Sequence, residues 1–353
     1  MKGPTRRRLA RVHAWAGAIL AAPLLLIAAS GACLLHRDAL FVPRDWRVAE
    51  VPATAAADRE LVRLLSEEEV RGAVSIQPAR GPRGFHVIED AAGGITYWRV
   101  GARAAESRIP LRLRLERSLL ELHEHLLLGE TGDYLVRAIG PLAASLVALG
   151  LFLWWPMRAG WRANDLLPRS IARPRLVRSH LALGAAAGIL CFIHASTGAM
   201  MANNPAIRSW LKPHADPRAM QVPPTARPFV PHDPYAAFEA LREVHVRGEI
   251  TRLTRAETAN QWSMRLRLPG ERHPNGRSSI TLDLDQGRIT AARDARMAGL
   301  PGAYDDTAFP LHTGSLFGPF QRTIWTAGAL SLVLLALLGT FSFVRHRLSS
   351  RNP

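Results

Sequence analysis

Residues 178–202 read RSHLALGAAAGILCFIHASTGAMMA. After the leading Arg178 the run holds no charged side chain, and it has the ~20 apolar residues that span a hydrocarbon core. It also holds two histidines, His180 and His194. On an α-helix they would lie ~21 Å apart along the axis and within ~40° of the same face. An ionisable side chain inside a bilayer marks a functional site by default, because something must hold it there.

Three other windows also lack Asp, Glu, Lys and Arg, giving 12–35, 138–157, 179–207 and 323–344 in all. The expected fold class is therefore membrane α-helical: a four-helix transmembrane bundle with a polar region between the first and second helices and another between the third and fourth. Short flanks set the orientation. Lys2, Arg6, Arg7, Arg8 and Arg11 precede the first helix. Arg158, Arg162, Arg169, Arg173, Arg175 and Arg178 link the second to the third, and Arg345, Arg347 and Arg351 follow the fourth. Positive flanks stay inside, so both termini are expected in the cytoplasm and both polar regions outside, in the periplasm of a bacterial inner-membrane protein. The lipid bilayer explains the net charge of +16 without a nucleic-acid partner.

The expected organisation is a cytoplasmic start at 1–11, a first span at 12–36 and a first exported domain at 37–118. An interfacial helix and second span follow at 119–157, a cytoplasmic loop at 158–178 and a third span at 179–203. A second exported domain at 204–310, an interfacial segment and fourth span at 311–345 and a tail at 346–353 complete it. The first window also resembles a signal peptide, with a basic start and AASGA as a possible cleavage site. Its length and His13 favour a retained helix. Cys33 and Cys191 lie in apolar runs and read as small buried hydrophobes.

The chain repeats itself. RVHAWAGAILAAPLLLIAASGACLL from Arg11 aligns with the quoted stretch, pairing His13 with His180, Gly17 with Gly184, and Ser30-Gly31 with Thr197-Gly198. LHEHLLLG from Leu122 aligns with LHTGSLFG from Leu311, pairing His123 with His312, Gly129 with Gly318 and, further on, Gly150 with Gly339. The expected architecture is a tandem duplication of helix, exported domain, helix, whose axis runs along the membrane normal. Each exported region reads as one helix (58–70; 235–246) followed by about three alternating strands, a small α+β module. AVSIQPAR, GFHVIED and GITYWRVGAR supply the first set, and ITRLTRAE, QWSMRLRLPG and SSITLDLDQGRITAARD the second. LDLDQGRIT carries a hairpin signal.

The N-terminal histidine helix, LHEHLLLGETG and LHTGSLFG, the WWP that ends the second span and the helix-plus-strands inserts together resemble the PepSY-associated transmembrane helix family. The resemblance covers nearly the whole chain. It implies PepSY-like exported domains and, for one branch of the family, an inner-membrane ferric-siderophore reductase that binds b-type haem.

The histidines suit that cofactor. His13 and His180 begin their helices on the cytoplasmic side; His123 and His312 precede theirs on the periplasmic side. Neutral imidazoles are axial haem ligands, and facing helices of a bundle can supply one each. Two haem b groups are thus expected, held by His13 with His180 and by His123 with His312, with His194 as the substitute ligand at the outer site. Gly17 and Gly184, one turn beyond the inner histidines, would let a porphyrin edge approach. Arg137, Arg178 and Arg322 either pair with propionates or anchor helix ends. LHEHLLLGETG is expected to turn at Gly129 or Gly132. His36, His86, His214, His232, His245, His273 and His346 read as solvent-facing. A hydrogen-bonded core role for His194, a zinc site and a histidine proton path remain open as alternatives. No exported residue stands out as a substrate ligand. The electron donor is unknown, and the acceptor is an iron-siderophore or a periplasmic redox partner. The rival readings are a haem-free sensor or accessory protein and a cytochrome subunit for a dedicated periplasmic enzyme.

Overall fold

The structure, a computed structural model, describes residues 3–48, 60, 61, 63–65, 67, 72–216, 228–231, 233, 236, 248–256 and 261–349. They divide into a helical unit (1–37, 116–207 and 311–353) and a sheet unit (38–115 and 208–310).

In the helical unit the helices used below are α1 (Pro4–Leu34), α2 (Leu111–His125, which enters the unit at Glu116), α3 (Gly129–Trp154), α4 (Arg173–Ala202), α5 (Gly299–His312, which enters at Leu311) and α6 (Gly318–Ser349). Helices α1, α3, α4 and α6 are long and apolar enough to cross a membrane. Each of α1 and α4 packs against both α3 and α6. Small residues allow this close approach: a Cβ on Gly140 would meet the Ala199 backbone at 2.8 Å, and one on Gly188 would meet the Leu151 side chain at 2.5 Å. Between neighbouring helices, Arg6 donates to the Leu153 carbonyl at 3.0 Å and Trp161 Nε1 to the Ala182 carbonyl at 2.9 Å.

LHEHLLLGETG does form a helix that turns before the span. The break falls at Leu126 and Leu127, with φ of 52° and 60°, and closes at Gly129, φ 56°. Left-handed backbone at two successive leucines is sterically unfavourable. It persists because Gly132 lets the two helix ends meet; a Cβ there would collide with the His125 carbonyl.

The sheet unit holds β1 (Ala73–Gln77), β2 (Phe85–Asp90), β3 (Ile95–Arg99), β4 (Glu249–Arg255), β5 (Gln261–Arg267), β6 (Ser278–Asp283) and β7 (Arg288–Arg293). Every strand-like run in the sequence is a strand, and the second region supplies four where about three are expected. The two expected small sheets are joined. The order is β3-β2-β1-β4-β5-β6-β7, all antiparallel, with β1 and β4 paired through Ser75–Thr254 and Ile76–Leu253. One core serves both regions, with Ile76, Ile88 and Trp98 packed in the same cluster as Leu253, Met264 and Ile280. In the LDLDQGRIT hairpin Asp283 accepts the Asp285 and Gln286 N–H groups, and Gly287 takes φ 59°. Residues 60, 61 and 63–65 are helical; the helix expected at 235–246, His232 and His245 lie outside the described residues.

His86 and His273 are not solvent-facing: they are 3% and 1% exposed. Each accepts a backbone N–H at Nδ1, from Ala79 at 3.2 Å and Asn275 at 3.0 Å, and each keeps Nε2 buried with no hydrogen-bond partner. His36 is partly buried as well, bonded through Nε2 to Thr326 Oγ1 at 2.8 Å. Burial, set against Glu60 and reinforced by Arg63, pushes His86 down to about 4. Burial and the arginines 277, 265, 80 and 267 push His273 down to about 2. Because the folded values lie below the unfolded one, stability is complete above the unfolded pKa and falls as pH drops through ~6.5. Acidification from pH 7 to pH 5 is expected to destabilise the sheet unit by roughly 2 kcal/mol per histidine. Amide exchange of β2 and β6 across that range should show faster opening at pH 5, and the combined His86→Gln and His273→Gln substitutions should flatten the dependence.

Candidate functional site

At one end of the helical unit, His13 of α1 faces His180 of α4 with ring centroids 6.2 Å apart and planes at 68°. A glycine lies against each ring. A Cβ on Gly150 of α3 would come within 3.0 Å of His13, and one on Gly339 of α6 within 3.4 Å of His180. His180 Nδ1 lies 3.1 Å from the Leu335 carbonyl. A carbonyl only accepts, so Nδ1 carries the proton and Nε2 keeps its lone pair. His13 Nδ1 is buried without a hydrogen-bond partner.

At the other end, His123 in the last turn of α2 faces His312, which closes α5, with centroids 6.1 Å apart and planes at 39°. His123 Nδ1 donates to the Ile27 carbonyl at 2.9 Å, with Ser30 Oγ at 3.3 Å. His312 Nδ1 lies 3.0 Å from Thr197 Oγ1, whose own proton goes to the Ile193 carbonyl at 2.7 Å. The hydroxyl therefore accepts from the imidazole, and in both residues Nε2 is again the bare nitrogen. Burial lowers the pKa of His123. Burial, then His123 and His194, push His312 down to about 3. Both rings are neutral at physiological pH, the form in which imidazole binds a metal. Glycines line this end too: a Cβ on Gly31 would lie 2.8 Å from His123, and one on Gly198 3.3 Å from His312.

His194 joins the outer group with a difference. Its centroid is 6.2 Å from that of His312. Its Nε2 donates to the Trp325 carbonyl at 2.9 Å, while Nδ1 is buried with no hydrogen-bond partner. The nitrogen that the other outer histidines leave bare is in His194 the one already bonded. On α4, His180 and Thr197 are ~25 Å apart along the helix, which separates the two groups by most of a bilayer core.

These donors suit iron held in a porphyrin. Two metal–nitrogen bonds of ~2 Å plus two ring radii place the centroids of a bis-imidazole pair ~6 Å apart, the spacing at both ends. Metal-binding histidines almost always donate their second nitrogen to a carbonyl or similar acceptor, as His123, His180 and His312 do. A bare zinc ion takes three or four protein ligands; among the described residues no group of three or more His, Cys, Asp or Glu is arranged to hold one. A metal already held in plane by four macrocycle nitrogens needs only two. Buried Nε atoms of Arg137 and Arg322 have no hydrogen-bond partner and could meet the carboxylates of such a group; Arg178 is exposed.

Five of the seven expected site residues thus gather, as two histidine pairs plus His194. The two expected glycines are not the ones against the rings. A Cβ on Gly17 or Gly184 would meet only Leu146 at 4.0 Å or Leu335 at 3.7 Å, ordinary contacts. Gly31, Gly150, Gly198 and Gly339 touch the imidazoles instead. Their matched positions in the internal alignment were the signal that could have identified them.

No curated protein matches the chain. The profile of the PepSY-associated TM region matches residues 10–345. With four membrane-length helices and coverage of nearly its whole length, the chain belongs to the PepSY-associated transmembrane family.

Proposed function

We propose that this protein is a di-haem b reductase of the bacterial inner membrane that passes electrons outward to a periplasmic acceptor, ferric iron held by a siderophore. One observation carries the reading: two histidine pairs at opposite ends of one helical unit, with centroids 6.2 and 6.1 Å apart. His13 and His180 hold the inner group; His123 and His312 hold the outer one. Haem held by these histidines would supply one-electron exchange.

The chain's own contribution is placement and tuning. The Leu335 and Ile27 carbonyls and the Thr197 hydroxyl fix three of the imidazoles with Nε2 unprotonated and limit ring rotation. Gly150, Gly339, Gly31 and Gly198 admit the rings between helices. The buried Nε atoms of Arg322 and of Arg137, whose Nη2 is paired with Asp133 at 2.6 Å, could donate hydrogen bonds to the propionates. The contacts recur in the same sequence positions of both halves: His13 with Gly150 and His180 with Gly339, His123 with Ser30 and Gly31, His312 with Thr197 and Gly198. That recurrence supports descent from a duplicated helix–exported region–helix unit. The arginine-rich flanks support cytoplasmic termini and a periplasmic sheet unit.

The direct test is the visible spectrum of detergent-purified protein from haem-replete cells. Two b-type haems per chain, both low-spin, are expected from a pyridine haemochrome count. A colourless preparation would remove the reductase reading and leave a haem-free partner-binding protein.

A further inference from the structure

The sheet unit carries an arrangement of charge that the histidine sites do not use. In β4, β5, β6 and β7, Arg252 lies opposite Arg265, Arg265 opposite Ser279, and Ser279 opposite Arg293. Residues opposite one another across antiparallel strands share a face, so three arginines stand in one row. Their strand neighbours Leu253, Met264 and Ile280 fill the core on the other face. Like charges directly opposite each other destabilise a sheet, yet this row sets Arg252 against Arg265 in adjacent strands.

Little balances it. Asp305, 6% exposed, takes Arg208 at 2.7 Å and Arg293 at 3.3 Å. Among the described residues the Arg277 side chain reaches only the Asp305 backbone carbonyl, at 3.4 Å. Among the described residues neither Arg252 nor Arg265 forms an ion pair, and the Arg252 Nε is buried with no hydrogen-bond partner. Arg277 is pushed down to about 10, by burial first and then by Arg265, with Arg208 and Arg293 adding to the repulsion and Asp305 opposing it. Burial, Arg252 and Arg208 lower Arg265 as well. Among the described residues, Asp305 is thus the one carboxylate that pairs with any of these five guanidinium groups, and it takes two of them.

We infer that the row Arg252–Arg265–Arg293, with Arg208 and Arg277 beside it, is a binding site for a polyanion carrying several carboxylates, and that the iron chelate reduced by this protein belongs to that class. The second clause rests on the reductase reading; the first does not. Strand spacing of ~4.8 Å puts Arg252 and Arg265 about 5 Å apart and Arg293 about 10 Å beyond. A lone phosphate cannot span that row, whereas a multidentate carboxylate chelate can, and guanidinium binds carboxylate through paired charge-assisted hydrogen bonds.

Gallium(III) citrate is the probe, because gallium keeps the chelate's charge and shape and accepts no electron. Calorimetric titration of the full-length protein in zwitterionic nanodiscs should show saturable binding. Arg252→Gln and Arg265→Gln should each weaken it by about tenfold or more, and Arg288→Gln, at an exposed position of β7 outside the row, should leave it unchanged. Relief of the like-charge pair should keep the melting temperature of either row variant at or above that of the parent, which separates a lost ligand contact from a damaged fold. No binding by the parent protein, undiminished binding by both row variants, or occupancy of the row only by phosphatidylglycerol in anionic nanodiscs would overturn the assignment. Because the readout needs neither haem nor reduction, a red protein that reduces a neutral chelate but ignores gallium citrate would refute this inference alone.

Discussion

His13→Ala and His180→Ala are each expected to remove the same one of two haems, halving the haem content, and the double variant is expected to lose no more than either single. The basis is the 6.2 Å separation of their ring centroids, close enough for one metal between them. Residues that act on one shared group are non-additive. The outer pair, ~25 Å further along the helices, should keep its haem and its spectrum in all three variants. Deletion of either imidazole leaves a space beside Gly150 or Gly339, so exogenous imidazole should restore the lost band. Haem counts, redox titration and the low-spin signals in electron paramagnetic resonance read this directly. Loss of one haem by the first substitution and of the other by the second would show that the helices pair their histidines differently.

Much of this layout was legible in the sequence, for reasons that lie in particular residues. Charge-free windows longer than a hydrocarbon core have one stable solution in a bilayer, so α1, α3, α4 and α6 announced themselves. The internal alignment singled out His13, His180, His123 and His312 because four histidines at matched positions are hard to explain as separate accidents of core packing. Strand alternation located β1 to β7. It could not say that β1 and β4 would pair, because Ser75-Ile76 and Leu253-Thr254 look the same whether a strand is an edge or an interior one. The same blindness hid His86. In FHVIED, alternation puts Phe85 and His86 on opposite faces, and in a half-exposed strand one face would be wet. Phe85 packs in one apolar cluster and Ile88 in another, so β2 is covered on both faces and His86 is buried with Ile88. Gly129 and Gly132 signal the turn, but not that it begins at Leu126 and Leu127, since leucine is a residue that left-handed backbone disfavours. Helix spacing from the histidines points to Gly17 and Gly184 on the same helices. The glycines that touch the rings sit on facing helices, where spacing along one chain segment gives no guidance.

Transfer to the acceptor is expected to depend on His123 and His312 and to survive the loss of His194. Reduced protein mixed anaerobically with an iron(III) siderophore and an iron(II) trap should reoxidise while the trap fills. His123→Ala or His312→Ala should reduce that transfer to background and leave the inner group reducible by dithionite. His312 has both His123 and His194 within ring contact, so proximity to it does not separate those two; hydrogen bonding does. His123 and His312 donate from Nδ1 and keep Nε2 bare. His194 donates Nε2 to Trp325 and packs its ring against that indole. Its Nδ1 lies next to the crowded Cβ and is a poor approach for a planar macrocycle. His194→Gln should therefore keep both haems and most of the transfer rate, with a shift in the outer potential as the visible effect of losing a buried imidazole beside His312. Complete loss of the outer haem in His194→Gln, with His123→Ala retaining it, would exchange their roles. If the reduced protein leaves every iron chelate untouched but delivers its electrons to a periplasmic protein, the di-haem assignment stands and the siderophore assignment falls. If both histidines of a pair held one haem, electron transfer across a contact would be favoured over binding of substrate at the metal, and either acceptor would dock away from the histidines.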